Sequence, residues 1–215
     1  MKDSTAEYSI WDGVTPKAIG SSTDATPVVI SSTAHGFATG DCVVIYGHTT
    51  NVAANGVYKV TKLTANTFSL QDRNTGADIA GSGAGAGASG VIMPAKIIYA
   101  GDWNNIAFTL DTSSSANLTL KFAGSNGMLL ADQTNHGDTP NFYATASDKN
   151  TYSFLDFVYL DGAGVVIDGD TGVALTGSDK HTNIELNVNQ MKYVCPMVTT
   201  YTTGVVSLKA RLTNA

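Results

Sequence analysis

Charged side chains are scarce in this sequence. Only 14% of the residues are Asp, Glu, Lys or Arg, whereas globular proteins average roughly 25%. Thr, Ser, Asn and Gly supply the polar surface instead. Apolar residues still recur along nearly the whole chain, which excludes a disordered protein. The composition is typical of a rigid β-protein with a neutral polar surface.

Basic residues are too few and too scattered for a nucleic-acid surface. The chain has 12 Lys and Arg against 18 Asp and Glu, which gives a net charge of -6. The basic residues stand singly, whereas contacts to phosphates need clusters of them. We therefore expect no nucleic acid among the partners of this protein.

Long apolar runs are also missing. No segment reaches the roughly 18 apolar residues that a membrane-spanning helix needs. Residues 1–10 have neither a basic lead nor an apolar core, so they lack the pattern of a secretory signal. We expect no membrane partner and a protein that is made and kept in a cytoplasm.

Cysteine and histidine are sparse as well. Cys42 and Cys195 lie in different halves of the chain within strand-like runs, which favours buried free thiols over a disulfide. No CxxC pair or Cys/His cluster occurs. The histidines, none adjacent to another, are His35, His48, His136 and His181. We expect no metal ion and no cofactor.

Patterns of catalytic residues are missing too. There is no G-x-S-x-G elbow, and Glu7 and Glu185 are the only glutamates, so a pair of catalytic carboxylates is poorly supported. Residues 168–172 place two aspartates in one turn but lack the further ligands and the terminal Glu of an EF-hand. A structural turn is favoured over a calcium site, and we expect no enzyme.

A period of two replaces helical spacing. No window sustains apolar residues at i, i+3, i+4 and i+7. Residues 117–122, 183–189 and 206–212 alternate between apolar and polar, which is the pattern of half-buried antiparallel strands. Turn pairs such as Asn55-Gly56 separate such runs. The sequence predicts an all-β fold.

The strand candidates divide the chain into three parts. Residues 1–24 are weakly patterned and predict an N-terminal arm that packs on a neighbour, or a loosely attached lead-in. Residues 25–94 predict a small β-barrel module, and residues 95–215 predict a jelly-roll-type antiparallel β-sandwich. Glycine-rich residues 81–90 are interpreted as a flexible hairpin loop, and residues 124–150 as a projecting loop.

One predicted strand, residues 152–160, is apolar on both faces. One face can fill the sandwich core, and the other needs cover from a neighbouring subunit or from the barrel module. Subunit contacts are therefore expected here and in the N-terminal arm. The interface candidates are Tyr8, Trp11, Leu155, Phe157 and Tyr159.

A second aromatic group offers a binding alternative. Trp103, Tyr99 and Tyr143 could form a platform on which a sugar stacks, although packing in the core or at an interface is favoured.

Three short motifs follow one another in the barrel module. Residues 34–41 read AHGFATGD, residues 55–60 read NGVYKV and residues 67–70 read TFSL. Together they resemble a β-module found repeatedly in tailed-phage proteins, the first-catalytic-cysteine-half-domain-like fold. The resemblance implies a phage origin and no ubiquitin chemistry. In physical terms, Gly36 is expected to reverse the chain and Phe37 to fill the core.

The C-terminal half has a looser resemblance. Residues 168–171, 184–188 and 203–210 are similar to the sandwich domains of head decoration and cement proteins. The resemblance implies a structural component of a tailed-phage virion, assembled in the host cytoplasm.

The leading expectation for function is a capsid decoration or cement protein. Such a protein forms homotrimers and contacts the major capsid protein or other virion proteins, so that many copies add their contact energy. A tail, baseplate or fibre component is the alternative, although the chain lacks the coiled coil that fibres often contain. A carbohydrate-binding or adhesion module displayed on the virion is a third possibility.

Overall fold

The structure, a computed structural model, describes most of the chain. The described residues are 4–73, 75–83, 85–86, 89–113, 115–125, 152–159, 165–177, 180–189 and 191–214. Within them the chain is built from strands, and Val52–Ala54 forms a short 3-10 helix. The predicted all-β fold class is confirmed. Residues 126–150, which contain nearly all of the predicted projecting loop, lie outside the described residues.

Eight strands form one curled sheet. They are β2 (Lys17–Ala18), β3 (Ser21–Ser22), β4 (Val29–Ser31), β5 (Cys42–Tyr46), β6 (Gly56–Lys62), β7 (Thr67–Gln71), β8 (Gly85–Ala86) and β9 (Val91–Pro94). Their hydrogen-bonded order is β2-β9-β5-β6-β7-β4-β3-β8. Only Ile19 and Gly20 separate β2 from β3 along the chain, although these strands lie near opposite ends of that order. The sheet therefore curls into a barrel-like module.

The barrel module has its own apolar core. The alternation of β5 points Val43 and Ile45 inward, where they meet Tyr58 and Phe68. The other buried members are Ile19, Val28, Ile30, Phe37, Ala54, Val60, Leu70, Ile79 and Ile92. Since Val44 points the opposite way, the outer side of β5 also needs cover.

The remaining strands form a sandwich of two antiparallel sheets. They are β1 (Tyr8–Val14), β10 (Ile98–Tyr99), β11 (Asn105–Thr112), β12 (Ala116–Ser125), β13 (Tyr152–Phe154), β14 (Phe157–Tyr159), β15 (Val166–Ile167), β16 (Val173–Gly177), β17 (Lys180–Asn187), β18 (Tyr193–Thr203) and β19 (Val206–Thr213). The six-stranded sheet has the order β1-β19-β11-β17-β14-β15. In the five-stranded sheet the order is β10-β18-β12-β13, and β16 also pairs with β12.

The connections of the sandwich are of jelly-roll type. From β15 to β19 each successive strand lies in the opposite sheet, so the chain crosses the sandwich at every step. Side chains from both sheets meet in the core, where the ring centroids of Phe108 on β11 and Phe122 on β12 are 4.6 Å apart. The antiparallel pairing and the core-facing alternation follow the predicted strand patterns.

Residues 1–24 are not a separate arm in the structure. Strand β1 pairs with β19 near the C-terminus, whereas β2 and β3 belong to the barrel sheet. Trp11 is 2% exposed, and its indole Nε1 donates a hydrogen bond to the Pro94 carbonyl at 3.2 Å. This segment therefore ties the barrel module and the sandwich together within one chain.

The apolar segment predicted as one strand is two strands in different sheets. Strand β13 pairs with β12 and β14 pairs with β17, and the chain crosses between the sheets at Leu155. Leu155 and Phe157 are buried in the sandwich core. Phe154 meets the barrel residue Tyr46, with ring centroids 6.1 Å apart. The chain itself covers these side chains, because the crossing turns them toward different neighbours.

The barrel module packs on the five-stranded sheet through a shared apolar seam. Residues 194–199 of β18 are buried on both faces of the strand. One face lies on the sandwich core, and β9 and β5 of the barrel contact β18. Val44, Val57, Val91 and Met93 of the barrel belong to the same apolar cluster as the sandwich core. Strand β18 is therefore covered on both faces, as is β5 of the barrel.

The glycine-rich tract is packed rather than free along its described residues. A Cβ added to Gly81 would lie 2.9 Å from the Asp24 Cα, and one added to Gly83 would lie 2.6 Å from the Thr50 carbonyl oxygen. Residues 85–86, which lie between Gly83 and β9 in the sequence, form β8 at the edge of the barrel sheet. The glycines permit a close approach of backbones, which differs from the interpretation as a flexible loop.

Candidate functional site

The AHGFATGD turn builds a structural histidine. Gly36 has a φ of +79°, and the Phe37 N–H donates to His35 Nδ1 at 3.0 Å. The hydrogen of the ring is therefore on Nε2, which donates to the Thr64 carbonyl at 3.1 Å. The His35 ring also stacks on Phe37. Both nitrogens are used inside the fold. The conformation expected of Gly36 and the burial of Phe37 are confirmed, whereas the turns of this segment lie at residues 33–34 and 39–40.

The NGVYKV motif is likewise used to hold local structure. The Asn55 side chain accepts from the His48 N–H at 2.8 Å and donates to the His48 carbonyl at 2.8 Å. The Tyr58 hydroxyl donates to the Ala53 carbonyl at 2.6 Å. Burial raises the pKa of Tyr58. Asn55 and Tyr58 thus fix the 3-10 turn against β6, and neither offers a reactive group to solvent.

A buried pair, Ser22 and His48, has the geometry of a nucleophile and its base. The Ser22 Oγ lies 2.7 Å from His48 Nε2, and His48 Nδ1 lies 3.0 Å from the Ser89 carbonyl. Because a carbonyl only accepts, Nδ1 carries the hydrogen and Nε2 accepts from Ser22. Both side chains are buried among the described residues. The three residues are far apart in sequence, and no motif could have revealed them.

Cys42 and Cys195 are free thiols, as predicted. Cys195 is fully buried at the seam, and burial raises its pKa to about 12, which keeps the thiol protonated at neutral pH. Cys42 is only half-buried. It lies on a cavity of about 400 Å³ lined by Phe37, Gly40, Asp41, Cys42, Pro94, Ala95 and Lys96. The Asp41 carboxylate on this cavity accepts the Ala38 N–H at 2.8 Å and so serves the turn.

The aspartates of residues 168–172 also serve a turn. Asp168 Oδ1 accepts from the Asp170 N–H at 2.8 Å, and Asp156 Oδ1 accepts from the Gly169 N–H at 2.7 Å. Such bonds from a carboxylate to nearby backbone are the usual work of Asp in turns. Within the described ranges, no group of three or more His, Cys, Asp or Glu side chains is placed to hold a metal ion.

The predicted interface residues have different surroundings. Tyr8 is 38% exposed on the edge strand β1. Trp11, Leu155 and Phe157 fill the interior of their own chain, and the side chain of Tyr159 lies outside the described residues. A subunit contact through Tyr8 stays a prediction.

Exposed apolar side chains lie mostly at the edges of the sandwich. Val166 on β15 is 63% exposed and its neighbour Val165 is 54% exposed, whereas Tyr8 lies on the opposite edge of the same sheet. Tyr99 on β10 is 49% exposed at an edge of the five-stranded sheet. Leu63, 53% exposed, follows β6 in a turn of the barrel.

Tyr99 forms an aromatic pair with Tyr193, which the sequence did not indicate. The two residues are opposite each other in the β10–β18 ladder, and their ring centroids are 5.7 Å apart at 66°. A cavity of about 290 Å³ beside them is lined by Tyr99, Gly101, Met191 and Lys192. Of the platform predicted earlier, Trp103 packs against the sandwich core, and Tyr143 lies outside the described residues.

No helix in the described part of the chain is long and apolar enough to cross a membrane. Comparison with protein-family models, with curated proteins and with solved structures finds no match for this chain.

Proposed function

We propose that this protein is a structural component of a tailed-phage virion, and specifically a decoration or cement protein of the capsid. The AHGFATGD, NGVYKV and TFSL motifs support the phage origin through their resemblance to a module of tailed-phage proteins. The hydrogen bonds of these motifs support a structural role, because the polar side-chain groups of His35, Asn55 and Tyr58 all bond within the chain.

The observation that carries the proposal is the pair of exposed edges on the six-stranded sheet. Among the strands that the structure describes, β1 ends this sheet on one side and β15 on the other. Tyr8 marks the first edge, and Val165 and Val166 mark the second. An unprotected edge with apolar side chains is a template for pairing with another chain. In a homotrimer, the β15 edge of each subunit would meet the β1 edge of the next, and the ring would close.

Low charge suits this role. Only 14% of the residues are charged, and permanent interfaces are depleted in charged residues at their centre. Each copy would contact its neighbours and the major capsid protein, and many copies would add their contact energies on the head. The protein would then reside in the virion, after assembly in the host cytoplasm.

The test measures oligomeric state and head binding together. The purified chain is weighed by light scattering and then mixed with undecorated phage heads. We expect a trimer that coats the heads and raises their melting temperature. Val166→Lys, which puts a charge on the β15 edge, should shift the trimer toward monomer and weaken coating. Leu63→Lys, an equally exposed change in a barrel turn, is the control and should leave both unchanged.

The alternative is a tail, baseplate or fibre component, which the same phage motifs support. This alternative predicts that the purified protein does not bind heads but binds purified tails. That result would replace the decoration proposal. A displayed carbohydrate-binding module is the remaining possibility, and the exposed Tyr99, paired with the partly buried Tyr193, is the observation that favours it.

A further inference from the structure

The edge of the five-stranded sheet contains a small cleft beside a pair of tyrosines. Tyr99 and Tyr193 meet at 66° with their centroids 5.7 Å apart. Tyr99 lines a cavity of about 290 Å³ together with Gly101, Met191 and Lys192, and this volume is at the small end of the roughly 300–1,000 Å³ of known small-molecule sites. We call these five residues the tyrosine cleft.

The tyrosine cleft is held in place by backbone pairing. Ile98 and Tyr99 pair with Val194 and Tyr193 in the ladder, and the Ala100 N–H donates to the Lys192 carbonyl at 2.9 Å. The two aromatic residues are therefore presented from paired strands rather than from a free loop. A site that is already formed loses less conformational entropy on binding.

Tyr99 is about half exposed, because alternation along β10 points Ile98 into the core and Tyr99 outward. Tyr99 is 49% exposed, whereas Ile98 beside it is 4% exposed. An aromatic ring face is electron-rich and attracts groups with a partial positive charge. The C–H bonds on one face of a pyranose ring are such groups, and its hydroxyls can bond to the tyrosine hydroxyl and to the Lys192 ammonium.

The positive charge of Lys192 disfavours some classes of ligand for the tyrosine cleft. The Lys192 Nζ lies 5.7 Å from the centroid of the Tyr193 ring, so a positive charge already occupies this side of the aromatic pair. That charge disfavours a quaternary ammonium ligand, which aromatic cages otherwise attract. A single-stranded nucleic acid would need a basic groove along its backbone, which the scattered basic residues of this chain do not supply.

We propose that the tyrosine cleft binds a pyranose unit of a saccharide, with acidic sugars preferred over neutral ones. Tyr99 supplies the stacking face, Tyr193 packs against the Tyr99 ring beside the cavity, and Lys192 contacts a carboxylate of the sugar. This inference does not depend on the decoration proposal, because a saccharide site of this kind would work equally on a head, a tail or an isolated protein.

Gly101 offers a specific way to disturb the tyrosine cleft without removing an aromatic ring. A Cβ added to Gly101 would lie 2.8 Å from the Tyr99 Oη and 2.9 Å from its Cζ. The tyrosine end can swing away, so Gly101→Ala should displace the ring while the fold is kept. Tyr99→Ala removes the ring altogether, and Tyr99→Phe keeps the face but removes the hydroxyl.

The experiment screens the full-length chain against immobilised glycans and follows each hit by calorimetry with the free sugar. We expect glucuronate- or sialate-containing glycans to bind. Tyr99→Ala and Gly101→Ala should weaken binding by about ten-fold or more, which is the effect of losing one aromatic contact. Tyr99→Phe should stay within about three-fold, since the stacking face is retained. Lys192→Gln should abolish the preference for acidic sugars and the salt dependence of binding.

Two controls make the proposal falsifiable. Tyr8→Ala removes a similarly exposed tyrosine from another sheet and should leave glycan binding unchanged, and the circular dichroism of every variant should match the parent. The proposal is overturned if no glycan binds, if Tyr8→Ala weakens binding as much as Tyr99→Ala, or if nucleotides bind more tightly than sugars. Head coating, measured separately, tests the decoration proposal independently of this result.

Discussion

The buried side chain of His48 in the barrel is held by hydrogen bonds to two serines. His48 is 1% exposed and lies between Ser22 and Ser89. Burial lowers its pKa from the ordinary value of 6.5, and the hydrogen bond to the Ser89 backbone opposes this only in part. The neutral ring is therefore the form that the folded protein prefers.

The lowered pKa of His48 predicts how stability depends on pH. The unfolded chain takes up this proton near pH 6.5, before the folded chain does, so the free energy of unfolding is highest above pH 6.5 and falls as the pH decreases below it. Urea unfolding between pH 5 and 8 measures how the free energy of unfolding changes with pH. His48→Gln should make that free energy less dependent on pH. A His48 ring that titrates above 6.5 by NMR would contradict the prediction.

Two buried serines should respond oppositely to the same substitution. Ser32 is 1% exposed, and within the described chain its Oγ has no hydrogen-bond partner. Ser69 is 3% exposed, and its Oγ accepts from Gln71 Nε2 at 2.9 Å. Ser32→Ala should raise the free energy of unfolding by about 1 kcal/mol, because it removes an unsatisfied group.

Ser69→Ala is the matched variant and should lower the free energy of unfolding by about 1 kcal/mol, because it breaks a satisfied bond. Denaturant titration of both variants measures the pair. Equal destabilisation by the two substitutions would show that the Ser32 hydroxyl has a partner.

At the scale of the element, alternation predicted strands well where the strand is regular. The strands predicted over residues 117–122, 183–189 and 206–212 match β12, β17 and β19 to within a few residues. Strand β1 was not predicted because its pairing with β19 is irregular. The register shifts between Ser9 and Trp11 and again before Val14, so Ile10 and Trp11 are both buried although they are adjacent in the sequence. A bulge of this kind hides the period of two.

Alanine substitutions at two glycines beside strands would distinguish the cost of backbone strain from that of a steric clash. Gly204 has a φ of +110° and Gly177 a φ of +90°, so alanine is strained at both. A Cβ on Gly204 would lie 2.5 Å from the Ala116 Cα, whereas one on Gly177 would meet no described residue within 4 Å. Gly177→Ala should cost about 1 kcal/mol.

Gly204→Ala should cost roughly 1–3 kcal/mol more than Gly177→Ala, because the backbone of β12 must shift. Chemical denaturation of both variants gives the difference. Equal costs would mean that the hairpin between β18 and β19 relaxes freely.

At the scale of the whole molecule, the barrel module and the sandwich share one apolar seam. Val44 and Met93 of the barrel lie in the same cluster as the sandwich core, and β1, which precedes the barrel, completes a sandwich sheet. Separation of the barrel module from the sandwich would expose apolar surface on both. We therefore expect the two modules to unfold as one cooperative unit.

The shared seam predicts a single thermal transition for the full-length chain. Calorimetry should give one peak whose calorimetric and van't Hoff enthalpies agree. Phe68→Leu in the barrel core and Leu120→Ala in the sandwich core should both lower the melting temperature of that same peak. Two peaks, each sensitive to only one of these substitutions, would contradict the prediction.

The sequence by itself determined the local features of this protein. Alternation and turn pairs predicted an all-β chain, Gly36 predicted a backbone conformation that favours glycine, and the isolation of the two cysteines predicted free thiols. Each of these depends on the chemistry of neighbouring residues, which is readable along the chain.

Only the tertiary structure decided what covers each buried face. A pattern shows that a face is apolar but not which distant segment packs on it. Residues 152–160 therefore predicted one strand with an uncovered face, whereas the chain crosses there from one sheet to the other. The same holds for Trp11, which is buried under Pro94 rather than under a neighbour. Both outcomes depend on contacts between residues far apart in sequence, and only the folded chain brings these together.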